Sequence, residues 1–205
     1  IAAAIKRVLG DDALRSRLQG PVYGPAREKI PLPFEPLNHG DRIEVLGLRF
    51  DVIDVPGHTA GHVAYVGMDI EPGLVFCGDT LFSAGCGRLF EGTPTQLAHS
   101  LARLAALPPD TRVFCTHEYT LSNLAFARAA EPENVERDAW AAHCETLRAR
   151  GEPTLPSTVS RELAINPFLR CDQPGVIEAV AAHTGSRPQD ALECLAALRA
   201  WKDRF

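Results

Sequence analysis

Three short segments of this chain carry side chains able to hold a cation, and each follows an apolar run. The first is Pro56-Gly57-His58-Thr59-Ala60-Gly61-His62, placed after an apolar stretch ending at Val55. Its glycines let the backbone bend tightly and bring two imidazoles to the rim of one turn. Neutral imidazole is the commonest protein ligand for zinc. The same residues also suit a turn whose histidines merely bond the backbone. The second segment, Val75-Phe76-Cys77-Gly78-Asp79-Thr80, runs a strand into a carboxylate that can close a turn or give its oxygens to one cation or two. The third, Val113-Phe114-Cys115-Thr116-His117-Glu118, delivers a histidine to a strand end. Active sites of α/β layers gather where strand ends converge. Three such ends presenting His58, Asp79 and His117 favour a metal site over three unrelated turns.

The elements that must position these residues can be read from periodicity. Runs rich in Val, Ile and Phe predict strands over residues 42–46, 48–55, 62–67, 74–77 and 111–115, with turns at Asn38-His39-Gly40-Asp41 and Glu71-Pro72-Gly73. Leu97, Leu101, Leu104 and Leu107 recur at helical steps and predict a helix over 95–107. Beyond Tyr119 only helical patterns are read, over 122–130, 134–150, 176–184 and 188–202, the last with Ser186 as candidate N-cap. This order suggests an α/β layer followed by a small helical domain, with the boundary near Glu118.

Composition narrows the function classes. The chain has 205 residues, 45% hydrophobic and 23% charged, which suits a folded globular protein. No apolar run approaches the ~20 residues that span a bilayer, and no secretory leader is read at residues 1–9. A net charge of −5 with scattered basic residues argues against a nucleic-acid partner. Six cysteines without a Cys-x-x-Cys pair point to buried thiols in a reducing cytoplasm.

Longer stretches carry a resemblance. Residues 76–94 read FCGDTLFSAGCGRLFEGTP and residues 115–134 read CTHEYTLSNLAFARAAEPEN. With Asn166-Pro167-Phe168-Leu169-Arg170 and the ending Leu198-Arg199-Ala200-Trp201-Lys202-Asp203-Arg204-Phe205, the chain from about Val22 onward resembles glyoxalase II, the hydroxyacylglutathione hydrolases of the metallo-β-lactamase superfamily. The resemblance implies an α+β fold. A metallo-β-lactamase-type αββα sandwich, N-terminally incomplete, would occupy 1–118, and a small all-helical substrate-binding domain 119–205. It implies hydrolysis of S-(2-hydroxyacyl)glutathione thioesters, such as S-D-lactoylglutathione, by a hydroxide bridging two metals in methylglyoxal detoxification. By motif, His58 would hold one metal, Asp79 would bridge two and serve catalysis, and His117 would hold the second. His62 would be structural. Arg88 and Tyr119 would contact the glutathione moiety, and Arg199 and Lys202 its glycine carboxylate. Phe90 stands where many relatives have a tyrosine, so any bond from that phenol is lost. Zinc is the expected metal, with iron or manganese also suited to a mixed His/carboxylate site. A monomer with a small-molecule substrate, away from membranes, is expected.

The chain also departs from the family pattern. The family's Thr-His-x-His-x-Asp-His motif should fall at about residues 1–7, which read IAAAIKR. Four metal donors would come from it, and a catalytic zinc normally keeps three protein ligands. The expectation is therefore a chain with little turnover by itself. The alternative is a glutathione-thioester-binding module without a complete metal site.

Overall fold

The computed structural model describes residues 20–205. A short parallel ribbon of β1 (Tyr23–Pro25) and β2 (Glu35–Leu37) precedes the main sheet. That sheet contains β3 (Arg42–Val45), β4 (Leu48–Asp54), β5 (Val63–Gly67) and β6 (Leu74–Gly78), with β9 (Arg112–Cys115) and β10 (Ser157–Thr158) beyond them. Its order is β10-β9-β6-β5-β4-β3. Only the β6–β9 pair is parallel. Between those two strands lie the small hairpin β7 (Leu81–Phe82) and β8 (Gly85–Cys86) and the crossover helix α1 (Pro94–Ala105), because parallel neighbours need a long connection.

Alternation along each strand sorts side chains between the two faces. Val55, Ala64, Val66, Val75, Cys77 and Val113 join one core. Phe50, Val52, Val63, Tyr65 and Leu74 join another, with Phe76 and Phe114 against it. The first core is covered by α1, whose Leu97, Leu101 and Leu104 are buried. A capping box of Thr93 and Gln96 starts that helix. On the second face Tyr23, Ile43, Val45, Leu48, Phe50 and Tyr65 help to line an open apolar hollow of about 380 Å³ among the described residues.

After Glu118 come α2 (Thr120–Ala130), α3 (Val135–Ala149), α4 (Val159–Ile165), α5 (Pro174–Thr184) and α6 (Ala191–Lys202). Leu124, Ala127, Ala141, Cys144 and Ile165 of these helices cluster with Ala84, and other residues reach the sheet's core. Phe126, Val176, Val180, Leu195 and Leu198 pack with α1 and the first sheet face as one cluster. The short strand β10 also comes from this half and lengthens the main sheet. The start of the last helix differs from the sequence reading. The last helix is capped by Asp190, which accepts from Glu193 N at 2.8 Å. Ser186 lies beyond the left-handed Gly185 that ends α5, and its N–H bonds back to Thr184. Among the described residues no helix is long and apolar enough to cross a membrane.

Candidate metal centre and substrate cavity

The Pro56–His62 turn closes between β4 and β5, where Val55 N donates to His62 O at 2.8 Å. His58 Nδ1 lies 2.9 Å from Arg88 O. A carbonyl can only accept, so the proton sits on Nδ1 and Nε2 is left with its lone pair free, the usual state of a ligating histidine. His62 points the other way. Its Nε2 accepts the backbone N–H of Asp79 at 3.1 Å. Burial, the largest cause, pushes its pKa down to about 4, so the ring is neutral. Gly78 adopts φ 57°, and a Cβ there would meet His62 Nε2 at 2.3 Å. The glycine is thus required both by conformation and by space. His62 thus holds the backbone of Asp79, its Nε2 being taken by that N–H.

Asp79 is 5% exposed and stands between two imidazoles. Its Oδ2 is 3.6 Å from His58 Nε2 and its Oδ1 is 3.3 Å from His117 Nε2. Donors held 2.0–2.1 Å from a tetrahedral ion lie about 3.3–3.4 Å apart, so each His–oxygen pair has the spacing of two ligands on one cation. The set therefore fits two ions sharing Asp79. Among the described residues no three His, Cys, Asp or Glu side chains gather around one point. Each ion would receive two donors from this part of the chain. The motif sought at residues 1–7, and Lys6 and Arg7 with it, lies outside the described residues.

One cavity of about 580 Å³ collects every site residue expected from the sequence except His62: His58, Asp79, Arg88, Phe90, His117, Tyr119, Arg199 and Lys202. Tyr119 stacks on His117 with centroids 4.8 Å apart, and the Phe90 ring lies 4.9 Å from His58. From α6 come Arg199 and Lys202. Arg199 is 3% exposed, and its Nη1 donates to Cys86 O at 2.9 Å. It fastens the cavity wall as well as lining it. Lys202 is the more available cation. Burial first, then the neighbouring Arg199, lowers its pKa to about 8.

Sequence reasoning missed the device that holds the cavity wall formed by Phe82 and Cys86. The β7–β8 turn, residues 82–85, is gripped by three buried side chains from the helical half. Asn123 donates to Ser83 O at 3.0 Å. Glu162 accepts from Ala84 N at 2.8 Å. Asn166 donates to Phe82 O and Gly85 O at 3.2 and 3.0 Å. Ala84 sits at φ 57°, a conformation costly for a residue with a Cβ, so the grip offsets local strain. Asn166 had drawn notice only within its motif, and nothing in the spacing marked Glu162. The cysteines near the site are inert: burial raises the thiols of Cys77 and Cys86, and that of Cys115 to about 11. Cys77 and Cys86 pack in the core beneath the site, with Cys115 against it.

Comparison with known proteins gives matches along the whole of this range. Residues 2–117 match the family described as Metallo-beta-lactamase superfamily, and residues 118–205 match Hydroxyacylglutathione hydrolase C-terminus. A hydroxyacylglutathione hydrolase of Chromohalobacter salexigens is 56% identical over 96% of this chain and 76% of its own length. One of Cupriavidus taiwanensis is 55% identical over 90% of this chain and 70% of its own. Among solved structures, TTHA1623 in a di-iron-bound form aligns with TM-score 0.51 and 30% identity over 79% of this chain and 71% of its own. ETHE1 from Myxococcus xanthus aligns with TM-score 0.55 and 26% identity over 93% of this chain and 70% of its own.

Proposed function

The chain belongs to the hydroxyacylglutathione hydrolases of the metallo-β-lactamase superfamily, thioester hydrolases of methylglyoxal detoxification, and from that premise we propose how its own residues serve the hydrolysis of S-(2-hydroxyacyl)glutathione to glutathione and a 2-hydroxy acid. One observation carries the assignment of roles: the metal-donor side chains and the cations Arg88, Arg199 and Lys202 line a single cavity of about 580 Å³. A glutathione thioester has the matching groups, a reactive carbonyl and a distant carboxylate. His58 and His117 would each hold one divalent ion, and Asp79 would join both. Bound there, such ions lower the pKa of water toward neutrality and polarise a carbonyl. His62 keeps Asp79 aimed through the backbone N–H. Lys202, Arg199 and Arg88 receive the carboxylate, and Tyr119 with Phe90 flank the reacting end. The leaving thiolate needs little help from an acid, so the raised cysteine thiols have no part in the chemistry.

Zinc is the metal we assign, on the nitrogen and carboxylate donors; the di-iron form of a 30% identical neighbour makes iron its competitor. Residues up to 118 would carry metal binding and residues 119–205 substrate binding. A reducing cytoplasm is supported by six free thiols, five of them buried. A second reading is a module that binds the thioester without turnover, since among the described residues each ion has two donors, short of the usual three. Purified protein supplied with zinc or iron should release glutathione from S-D-lactoylglutathione, and a chelator should stop it. Binding of S-methylglutathione with no release of glutathione under any metal would establish the second reading instead.

A further inference from the structure

Two of the cations that line the cavity already have a carboxylate against them. Asp203 follows α6 directly, and its Oδ1 accepts from Arg199 Nη2 at 3.1 Å while facing Arg88 Nε at 3.4 Å. The position is unfavourable in itself. Asp203 is the C-cap of α6, where the negative end of the helix dipole repels an acid. The two guanidiniums compensate. Among the described residues Asp79 is the one acidic side chain that lines the cavity, and Asp203 touches the lining through Arg199 and Arg88. Arg88, Arg199 and Lys202 thus crowd around one counter-charge, and the crowding is felt at Lys202, whose ammonium Arg199 and Arg88 help to disfavour. The Arg88–Asp203 contact is also open to water, with side chains 62% and 40% exposed. Such an exposed pair is worth no more than about a fivefold change in an equilibrium, so a better-placed anion can replace it.

Resting on the thioester reading above, we propose that Asp203 is an internal counter-anion that neutralises the cations of the empty cavity and is exchanged for the carboxylate of the incoming substrate. It sets affinity for the anionic end of the ligand and leaves the chemical step alone. Asp203→Asn tests this, because the amide keeps an acceptor for Arg199 and removes only the charge. Measurements at pH 7 keep Lys202 protonated. KM for S-D-lactoylglutathione and the inhibition constant of glutathione should each fall about two- to fivefold, with kcat held within about twofold. The gain should shrink with added salt, which screens exposed charges. Glutathione amidated at its glycine carboxylate should bind both proteins equally, and Asp203→Glu should restore the original constants. A rise in KM would overturn the proposal and make Asp203 an orienting partner of Arg88. An equal gain for the amidated ligand would also overturn it. Calorimetric titration with glutathione reads the same exchange without turnover, so loss of catalysis and failure of this proposal remain distinguishable.

Discussion

Asp79 and Lys202 show how much a single side chain carries here. Asp79 is nearly buried, and each oxygen faces a different imidazole. If it joins two ions, its loss removes a ligand from both. Asp79→Ala should therefore bring the metal content per chain to near zero, measured by elemental analysis after dialysis. Retention of one full equivalent would show that the oxygens serve a single ion. Lys202 gives a pH prediction with a definite sign. Its pKa is lowered to about 8 by burial and Arg199, so it is charged below that value and neutral above. Its attraction for a carboxylate is present at pH 7 and fades as pH rises through 8. The free-protein profile of kcat/KM should fall on the alkaline side with an apparent pKa near 8. Lys202→Arg, whose guanidinium keeps its charge, should move that limb upward; an unchanged limb would assign it to another group.

Two hairpins show what elements contribute. The β3–β4 turn is Leu46-Gly47, with φ 55° and 77° and Leu46 96% exposed. Both central residues are left-handed, the type I′ pattern that prefers Asn-Gly. Leu46→Asn removes the strain and an exposed leucine. It should stabilise by about 0.5–1 kcal/mol, a gain of roughly 1–4 °C in Tm readable by calorimetry. The β7–β8 turn has the opposite economy, since it is strained and gripped. Glu162→Ala would leave Ala84 N–H and its other donors unpaired, at about 2–4 kcal/mol, and should lower Tm by roughly 5–15 °C. Burial raises the Glu162 carboxyl above the ordinary range. Between its unfolded and raised folded values the native state holds a proton that the unfolded state lacks. Its contribution to stability thus falls as pH rises across that window. Glu162→Gln, with the Ser157 hydroxyl turned to accept from the amide, should flatten that dependence in pH-stepped denaturation. A slope equal to the parent's would move the titration elsewhere.

At the scale of the molecule, the two halves of the chain are joined by one core. Leu97 and Leu101 of α1 belong to the same cluster as Val113 of the sheet and Leu195 and Leu198 of α6. Arg199 then crosses from α6 to the backbone of Cys86. Neither half can lose its structure without opening the other's apolar surface. Unfolding should follow one cooperative transition, with helix signal at 222 nm and near-ultraviolet aromatic signal coincident. A separate early loss of helix would mean that residues 119–205 are held only loosely. The apolar hollow on the outer sheet face, about 380 Å³ among the described residues, is a separate surface. It does not enter the site.

The strand ends carrying His58, Asp79 and His117 were legible because β-strands announce themselves by alternation, and glycine beside a polar residue marks where they stop. The leucine spacing of α1 was legible for the same kind of reason. Local rules sufficed up to that point, and the family motifs then indicated where a substrate would meet the chain. Tertiary structure decided the rest. It set which imidazole is free to ligate, since the tautomer of His58 depends on the carbonyl of Arg88, distant in sequence, and the neutrality of His62 depends on burial. It also made Arg199 a wall fastener and Asp203 its counter-charge, through contacts about 110 residues apart in one case and one helical turn in the other. Glu162 is the clearest case. A glutamate in a short helix reads as solvent-facing in any sequence pattern, and only the meeting of α4 with the β7–β8 turn makes it a fully buried partner of Ala84. Periodicity encodes what each element buries. Which backbone atom a buried polar group will find depends on how the elements pack, and that information is distributed over the whole chain.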